Sequence, residues 1–394
     1  MPAGRAGGRR LHLGPRHGGD MRPILLELQR SWPFLLLVLV AGTTLFLWYA
    51  VVICRVLGSP EPFPEATDAS DLRNPPPMRV RPITSGICES CRCDMPEMLL
   101  KLLNSSWSKQ KTYSDIFRFQ LTSTCNGISK AIVTQLNTPL GSKITYDGEK
   151  RKTLKVTPKL FDTFVKESPF INKSFKTCSV VGNGGILANS SCGEEIDSAQ
   201  FVIRCNLPPV HKVYKRDVGN KTNLVTSNPS ILMDKFGSLM ELRRPFVERL
   251  GTFGDSLVLF PTFSYGQNTA VSLRALYTVQ DFRSPARPVF LNPEYLRSLA
   301  RFWRTNGLKK RLSTGMMMAS LALELCDEVH LYGFWPYPQH PRDCRSLTNH
   351  YYDDLQSKSM VHAMPEEFNQ LLQLYKLGVV KLHLEECVPA PRKV

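Results

Sequence analysis

Two short stretches more than a hundred residues apart restrict the fold most. One is Cys178-Ser-Val-Val-Gly-Asn-Gly-Gly185, running on to Arg204-Cys-Asn-Leu-Pro-Pro209; the other is Arg311-Leu-Ser-Thr-Gly315, leading to Gly333-Phe-Trp335. Each puts hydroxyl, amide and glycine groups where an apolar, β-branched run hands over to a loop or a helix, the place at which open α/β sheets hold nucleotides. Around them short apolar runs alternate with helical patterns. Strands are expected at residues 179–181, 201–204, 223–226, 256–260, 289–291, 329–332 and 379–384, and helices at 294–305, 315–326 and 365–377. That alternation predicts a sheet covered on both faces, a Rossmann-like α/β/α sandwich. No internal repeat accompanies it.

The N-terminal part obeys a different rule. Residues 34–54 contain no charged side chain and would span roughly 30 Å as a helix, about the hydrocarbon thickness of a bilayer. Arg5, Arg9, Arg10, Arg16, Arg22 and Arg30 precede them against only Asp20 and Glu27, whereas Arg55 and then Glu61, Glu65, Asp68 and Asp71 follow. The positive-inside rule therefore orients the N-terminus to the cytoplasm and the bulk of the chain to the lumen. The long basic lead and the lack of a small-x-small cleavage site favour an uncleaved signal anchor over a cleaved signal peptide. Sequons at Asn104, Asn172, Asn189 and Asn220 and eleven cysteines suit the secretory lumen, where glycans are attached and disulfides persist. The expected organisation is a cytoplasmic tail (1–33), a transmembrane signal anchor (34–54), a Pro-rich stem and transition (55–125) and a lumenal catalytic domain (126–394).

The stem assignment rests on Pro60, Pro62, Pro64, Pro75, Pro76, Pro77 and Pro82 among acids and serines, a composition unable to bury enough apolar surface to fold alone. Cys88, Cys91 and Cys93 are spaced like part of a metal cluster, but no second Cys or His pair follows at zinc spacing, so disulfide use or a free thiol is the expectation. The formal charge is +16; the tail's six arginines and two acids account for +4 of it, leaving +12 beyond the tail. Such an excess suits an anionic substrate or a membrane surface, or is simply a solvated basic surface; a lumenal location excludes nucleic acid.

The candidate chemistry lies in four places. Val181-Gly-Asn-Gly-Gly-Ile186 follows a strand, where glycines allow a phosphate to approach the backbone; a plain tight turn accounts for it equally. Asn183 adds an amide able to read a nucleotide or sugar hydroxyl. Ser313-Thr314-Gly315 precedes an apolar helix, as an N-cap or as a phosphate-binding helix start. His350-Tyr-Tyr-Asp-Asp354 and His362-Ala-Met-Pro-Glu-Glu367 offer histidines able to take a proton from a hydroxyl nucleophile. The chain has no Asp-x-Asp, the carboxylate pair with which many sugar-nucleotide transferases hold a metal on a diphosphate; a donor with one phosphate does not need that metal. An oxidoreductase built on residues 181–186, and a catalytically silent glycan-binding protein that keeps the fold, are the competing classes.

Taken together, these motifs resemble the animal-type sialyltransferases that use CMP-sialic acid. Residues 178–210 are similar to the family's long motif, 311–335 to its short motif, 350–353 to the third and 362–367 to the very short H-x4-E motif, in that order. Arg204 to Pro209, Asp217-Val-Gly219, Asn228-Pro-Ser230, Tyr332 to Trp335 and His350-Tyr-Tyr352 resemble the α2,8 branch, which adds sialic acid to an existing sialic acid. Asn137 to Gly141 and Tyr146 to Glu149 resemble the ganglioside and mucin-type oligosialylating members.

The resemblance implies a GT-A-like sialyltransferase fold behind the transmembrane helix and stem, in the Golgi membrane as a single-pass type II protein. It implies that Asn183, Asn206, Ser313, Thr314, Gly315 and Trp335 hold the donor, that His350 meets the phosphate of departing CMP, and that His362 is the general base, with Glu367 orienting it or its helix. Displacement would be direct and inverting, with no metal or other cofactor. The expected partners are CMP-sialic acid and a sialylated glycolipid, a ganglioside, or alternatively the sialylated O-glycans of glycoproteins; homo-oligomerisation is left open. Cys178–Cys326 and Cys192–Cys387 are the implied disulfides. Two departures from the family pattern are the single Cys125 and Asn349 before the third motif.

Overall fold

The computed structural model describes residues 106–125, 127–355 and 362–387. Among the described residues nine strands are present: β1 (Lys143–Thr145), β2 (Thr153–Lys155), β3 (Phe175–Val181), β4 (Phe201–Arg204), β5 (Leu224–Thr226), β6 (Leu257–Phe260), β7 (Arg287–Phe290), β8 (Cys326–Tyr332) and β9 (Lys381–His383). The last seven form one sheet in the order β7-β6-β5-β4-β3-β8-β9, with every pair parallel. All seven expected strands are found, displaced at most a few residues at their ends. β1 and β2 pair separately as an antiparallel hairpin, which was not foreseen.

Side chains of the sheet divide by parity. Phe201 and Ile203 of β4 join one hydrophobic cluster and Val202 the other, as a strand buried on both faces requires. The longer helices are α1 (Lys111–Cys125), α2 (Arg243–Gly251), α3 (Gly266–Asp281), α4 (Pro293–Thr305), α5 (Thr314–Leu325) and α6 (Met364–Lys376). Residues of α1, α4, α5 and α6 build the first cluster, and residues of α2 and α3 with several one-turn helices build the second. The result is the expected α/β/α sandwich.

Local chemistry sets the ends of α4 and α5. The Asn292 side chain accepts from the Glu294 N–H, with Pro293 at the first helical position; Ser313 accepts from the Met316 N–H. Trp303 then donates Nε1–H to Ser320 Oγ at 2.9 Å, tying the two helices in the core.

The boundary at residue 125 needs correction. Lys111–Cys125 falls in the stretch read as stem and transition, yet Leu121 and Cys125 are buried in the first cluster. Arg118 donates through Nε to the Leu323 carbonyl at 3.0 Å and through Nη2 to the Cys326 carbonyl, so it caps the C-terminal end of α5. The packed domain therefore includes α1. Residues 1–33, the segment 34–54, the remaining stem up to residue 105 and Cys88, Cys91 and Cys93 lie outside the described residues; among the described residues no helix is long and apolar enough to cross a membrane.

Both implied disulfides are present, Cys178–Cys326 with Cα atoms 5.9 Å apart and Cys192–Cys387 with Cα atoms 4.8 Å apart. Cys344 is also disulfide-bonded. Cys125 and Cys205 are free thiols, both buried, and burial pushes each up to about 12, far from the reactive thiolate range.

Candidate active site

From β3 the chain winds outward through β4, β5, β6 and β7, then returns to place β8 on the other flank of β3. The crevice beyond the carboxyl ends of β3 and β8 is thus the topological switch point of the sheet, where this architecture leaves room for a ligand. The loops leaving these two strands are the two stretches that dominate the sequence.

They pack on each other. Gly182 N–H donates to the Tyr332 carbonyl at 2.8 Å and Gly184 N–H to the Gly333 carbonyl at 3.1 Å. A Cβ at Gly184 would fall 2.6 Å from that same Gly333 oxygen, and one at Gly185 only 2.0 Å from the Thr348 carbonyl oxygen. These two positions need glycine because backbone meets backbone there, a different reason from the phosphate approach read from the sequence. The third motif docks on the first in turn. Tyr351 N–H donates to the Asn183 carbonyl at 2.9 Å, Gly184 and His350 form an antiparallel bridge, and Tyr351 O–H donates to the Pro209 carbonyl at 2.6 Å.

A cavity of 600 Å³ results, and Asn183, Asn206, Ser313, Thr314, Gly315, Trp335, His350 and His362 all line it. Its volume falls in the usual range for small-molecule sites. Asn183 donates Nδ2–H to the Cys205 carbonyl at 2.9 Å, while its buried Oδ1 has no partner among the described residues. Asn206 (φ 60) and Leu207 (φ 48) are both in the left-handed region, which is costly for leucine. Thr226 holds them there, accepting from Asn206 N–H through Oγ1 at 2.8 Å and from Leu207 N–H through its carbonyl at 3.1 Å. Trp335 is anchored by Nε1–H donation to the Gln339 carbonyl at 2.8 Å and by edge contact with Phe368 at 5.2 Å.

Glu367 is the least exposed charged group in the cavity wall, at 5%. Its Oε1 accepts from Ser313 N–H at 2.7 Å and its Oε2 from the Ser313 hydroxyl. Burial raises its carboxyl, against the lowering effect of these bonds and of nearby His362. Ser313 is therefore both the N-cap of α5 and the point at which α6 is fastened to it.

The two histidines are held by one ring nitrogen each. His362 Nδ1 lies 2.9 Å from the Arg311 carbonyl; a carbonyl can only accept, so Nδ1 carries the proton and the neutral ring keeps its lone pair on Nε2. His350 Nδ1 lies 2.8 Å from Asp353 Oδ1, with the ring stacked on Tyr352 at 5.1 Å. Asn349 Nδ2 approaches His350 Nε2 at 3.4 Å and donates to the Leu355 carbonyl at 2.7 Å, so the departing residue of the third motif braces the histidine loop.

Residues 127–379 match glycosyltransferase family 29 (sialyltransferase). The mouse alpha-2,8-sialyltransferase 8F is 43% identical over 298 residues, 75% of each chain. The chain belongs to glycosyltransferase family 29, the sialyltransferases. The Xenopus tropicalis alpha-N-acetylneuraminide alpha-2,8-sialyltransferase is 45% identical over 74% of this chain and 85% of its own, and human alpha-2,8-sialyltransferase 8E is 42% identical over 71% and 75%. Among solved structures, a mammalian sialyltransferase in complex with Gal-beta-1-3GalNAc-ortho-nitrophenol shares 19% identity at a TM-score of 0.39, covering 73% of this chain and 84% of that one.

Two residues of this sialyltransferase site were not singled out for it by sequence reasoning. Asn228 Nδ2 donates to Thr314 Oγ1 at 3.1 Å, and Asn228 N–H donates to Asn206 Oδ1 at 3.0 Å, so one asparagine couples the loops after β4 and β5 to the start of α5. Its position before Pro229 was the available signal. Arg311 is the other, its carbonyl 2.9 Å from His362 Nδ1. Buried Arg204, inside the long motif, contacts no part of the cavity lining through its guanidinium. It donates to the carbonyls of Val218 and Lys221, to Thr222 and to Asp197, and burial lowers it to about 10. Among the described residues one grouping has metal-ligand chemistry, Glu195, His330 and His383. These are bonded to one another, His330 Nδ1 to His383 Nε2 at 3.0 Å and His383 Nδ1 near Glu195 at 3.4 Å, and are not part of the cavity wall.

Proposed function

We propose that this sialyltransferase moves sialic acid from CMP-sialic acid to the 8-hydroxyl of a terminal sialic acid, by inverting displacement without a metal. The observation that carries the reading is His362. Its Nδ1–H is committed to the Arg311 carbonyl, and its ring lines the cavity that also gathers Asn183, Asn206, Ser313, Thr314, Gly315 and Trp335. In this reading those six hold CMP through amide, hydroxyl and backbone groups and an aromatic wall. The acceptor oxygen bonds to the anomeric carbon as the bond from that carbon to the phosphate oxygen breaks. The acceptor proton passes to His362 Nε2, and the electron pair leaves with CMP, whose phosphate meets His350. Asp353 accepts from the His350 Nδ1–H and so fixes the orientation of the ring that faces the phosphate in this reading.

The α2,8 linkage is supported by the names of the relatives. The preferred acceptor is a sialylated glycolipid, on the likeness of residues 137–141 and 146–149 to ganglioside and mucin-type members. A Golgi location as a type II membrane protein is supported by the uncharged segment 34–54, its flanking charges and the sequons.

The test offers the full chain, solubilised in detergent with CMP-sialic acid and EDTA, a monosialylated glycolipid and a sialylated O-glycoprotein in parallel. Transfer to the glycolipid is the expected result. Transfer confined to the glycoprotein would reassign the acceptor, and activity that disappears with EDTA would overturn the metal-free mechanism.

A further inference from the structure

Against the donor cavity lies a second, smaller one of 120 Å³. Asn228, Thr314 and His362 line both, so the candidate base stands where the two meet. Arg311 lines only the smaller.

The Arg311 guanidinium is held from several directions. Nη1 donates to Asp147 Oδ2 at 3.1 Å and to the Tyr265 hydroxyl at 3.4 Å, and Nη2 donates to Ser264 Oγ at 3.1 Å. The group also lies over the Tyr265 ring, 5.0 Å from its centroid. An arginine has five N–H donors; among the described residues three have partners here, which leaves Nε–H and one Nη2–H. Two N–H groups of a fixed, planar guanidinium suit the two oxygens of a carboxylate. Asp147, with its side chain 9% exposed, holds the group in place and does not fill that remaining capacity.

This step rests on the α2,8 reading above, in which the acceptor is itself a sialic acid. Its reacting hydroxyl must reach His362 Nε2, and the same sugar carries one carboxylate. We propose that Arg311 binds the carboxylate of the acceptor sialic acid in the smaller cavity, and so makes a sialylated terminus, and not a neutral sugar, the preferred acceptor. Arg311 is a specificity residue: its backbone carbonyl orients the base and its side chain selects the sugar presented to that base.

The donor also contains a carboxylate, so the experiment separates the two. Full-length wild type, Arg311→Gln and Arg311→Lys are assayed with a sialylated acceptor and with the same acceptor converted to its neutral carboxamide, and the KM for CMP-sialic acid is measured alongside. Wild type should favour the acid by about 10- to 100-fold in kcat/KM, the range for hydrogen bonds to a charged group. Arg311→Gln should lose that preference, its kcat/KM falling about 10- to 100-fold further with the acid than with the carboxamide, with the KM for CMP-sialic acid the parameter least changed. Arg311→Lys, which offers a point charge without the fork, should fall between them.

Equal use of acid and carboxamide by wild type would overturn the proposal, as would an equal loss on both acceptors in the variants. A rise in the KM for CMP-sialic acid as the main effect would assign Arg311 to the donor carboxylate instead. Should Arg311→Gln not fold, the wild-type comparison of acid with carboxamide decides alone. A wild type that sialylates only neutral galactose termini would instead refute the α2,8 reading itself.

Discussion

Glu367→Ala should show how strongly this site depends on one buried contact. The carboxylate is 5% exposed and Ser313 7%, and the two bonds between them involve the Ser313 N–H and O–H. Hydrogen bonds to a charged group contribute about 1.5–3 kcal/mol each, which brackets the pair at about 3–6 kcal/mol. The Glu367 carboxyl is nevertheless raised, with burial the largest cause, so desolvation of the charge offsets part of that gain and the low end applies. Alanine should therefore cost about 3 kcal/mol, because it leaves two buried donors without partners. At about 2–4 °C per kcal/mol for a domain of this size, melting should fall by about 6 °C or more. Glu367→Gln keeps an acceptor for the Ser313 N–H, carries no buried charge and loses only the hydroxyl's acceptor, so about 1 kcal/mol is expected. Because Ser313 caps α5 and lines the cavity proposed to hold the donor, displacement should also lower kcat/KM for CMP-sialic acid by about 10²-fold in the alanine variant and by less in the glutamine variant. Thermal melts paired with donor kinetics check both. Glutamine as damaging as alanine, or alanine melting within a degree of wild type, would refute the reasoning.

Other perturbations follow from the same contacts. Replacing Cys178 and Cys326 by alanine opens a loop with a sequence separation of 148 residues, and chain entropy sets the loss near 5 kcal/mol; chemical denaturation should shift by that order. Arg204→Met removes the donor to the Val218 and Lys221 carbonyls and the partner of Asp197, which should cost about 3 kcal/mol, with donor KM unchanged in whatever fraction stays folded. His383 is held well below its ordinary value by burial first, then by His330 and Lys381. Between that lowered value and about 6.5 the unfolded chain binds a proton that the folded chain does not, so stability should rise with pH across the window by up to about 1.4 kcal/mol per pH unit and level off above it. Melts taken from acid to neutral pH should show this slope in wild type and a shallower one in His383→Gln.

The central sheet was legible because its strands are continuous apolar runs, and each such run has one physical explanation in a sheet buried on both faces. α4, α5 and α6 were legible from their helical pattern, and α5 also from its start at Ser313. α1 was not. Only Ser114, Leu121 and Cys125 of its fifteen residues are buried, too few to print a period, and what marks it as core is Arg118 reaching carbonyls some two hundred residues away. α3 opens with Gly-Gln-Asn-Thr and has no side-chain cap, so it lacked a start signal.

At the site, the eight residues named from the motifs line one cavity. Their connections were not readable, since Ser313 to Glu367 and Asn228 to Thr314 join residues 54 and 86 positions apart. The glycines show the same limit. Their necessity is visible in sequence, but whether a ligand or another backbone occupies the space is decided by the partner strand.

The most direct test of the account is the rate of sialyl transfer by His362→Ala. With a sialylated acceptor and saturating CMP-sialic acid, kcat should fall by about 10²- to 10⁴-fold while the KM for the donor stays within a few-fold of wild type, because the proposed role of His362 is to take the acceptor proton and not to hold CMP. A variant that retains kcat within tenfold of wild type would mean that the lone pair left on His362 Nε2 is not the base, and that the mechanism built on it is wrong.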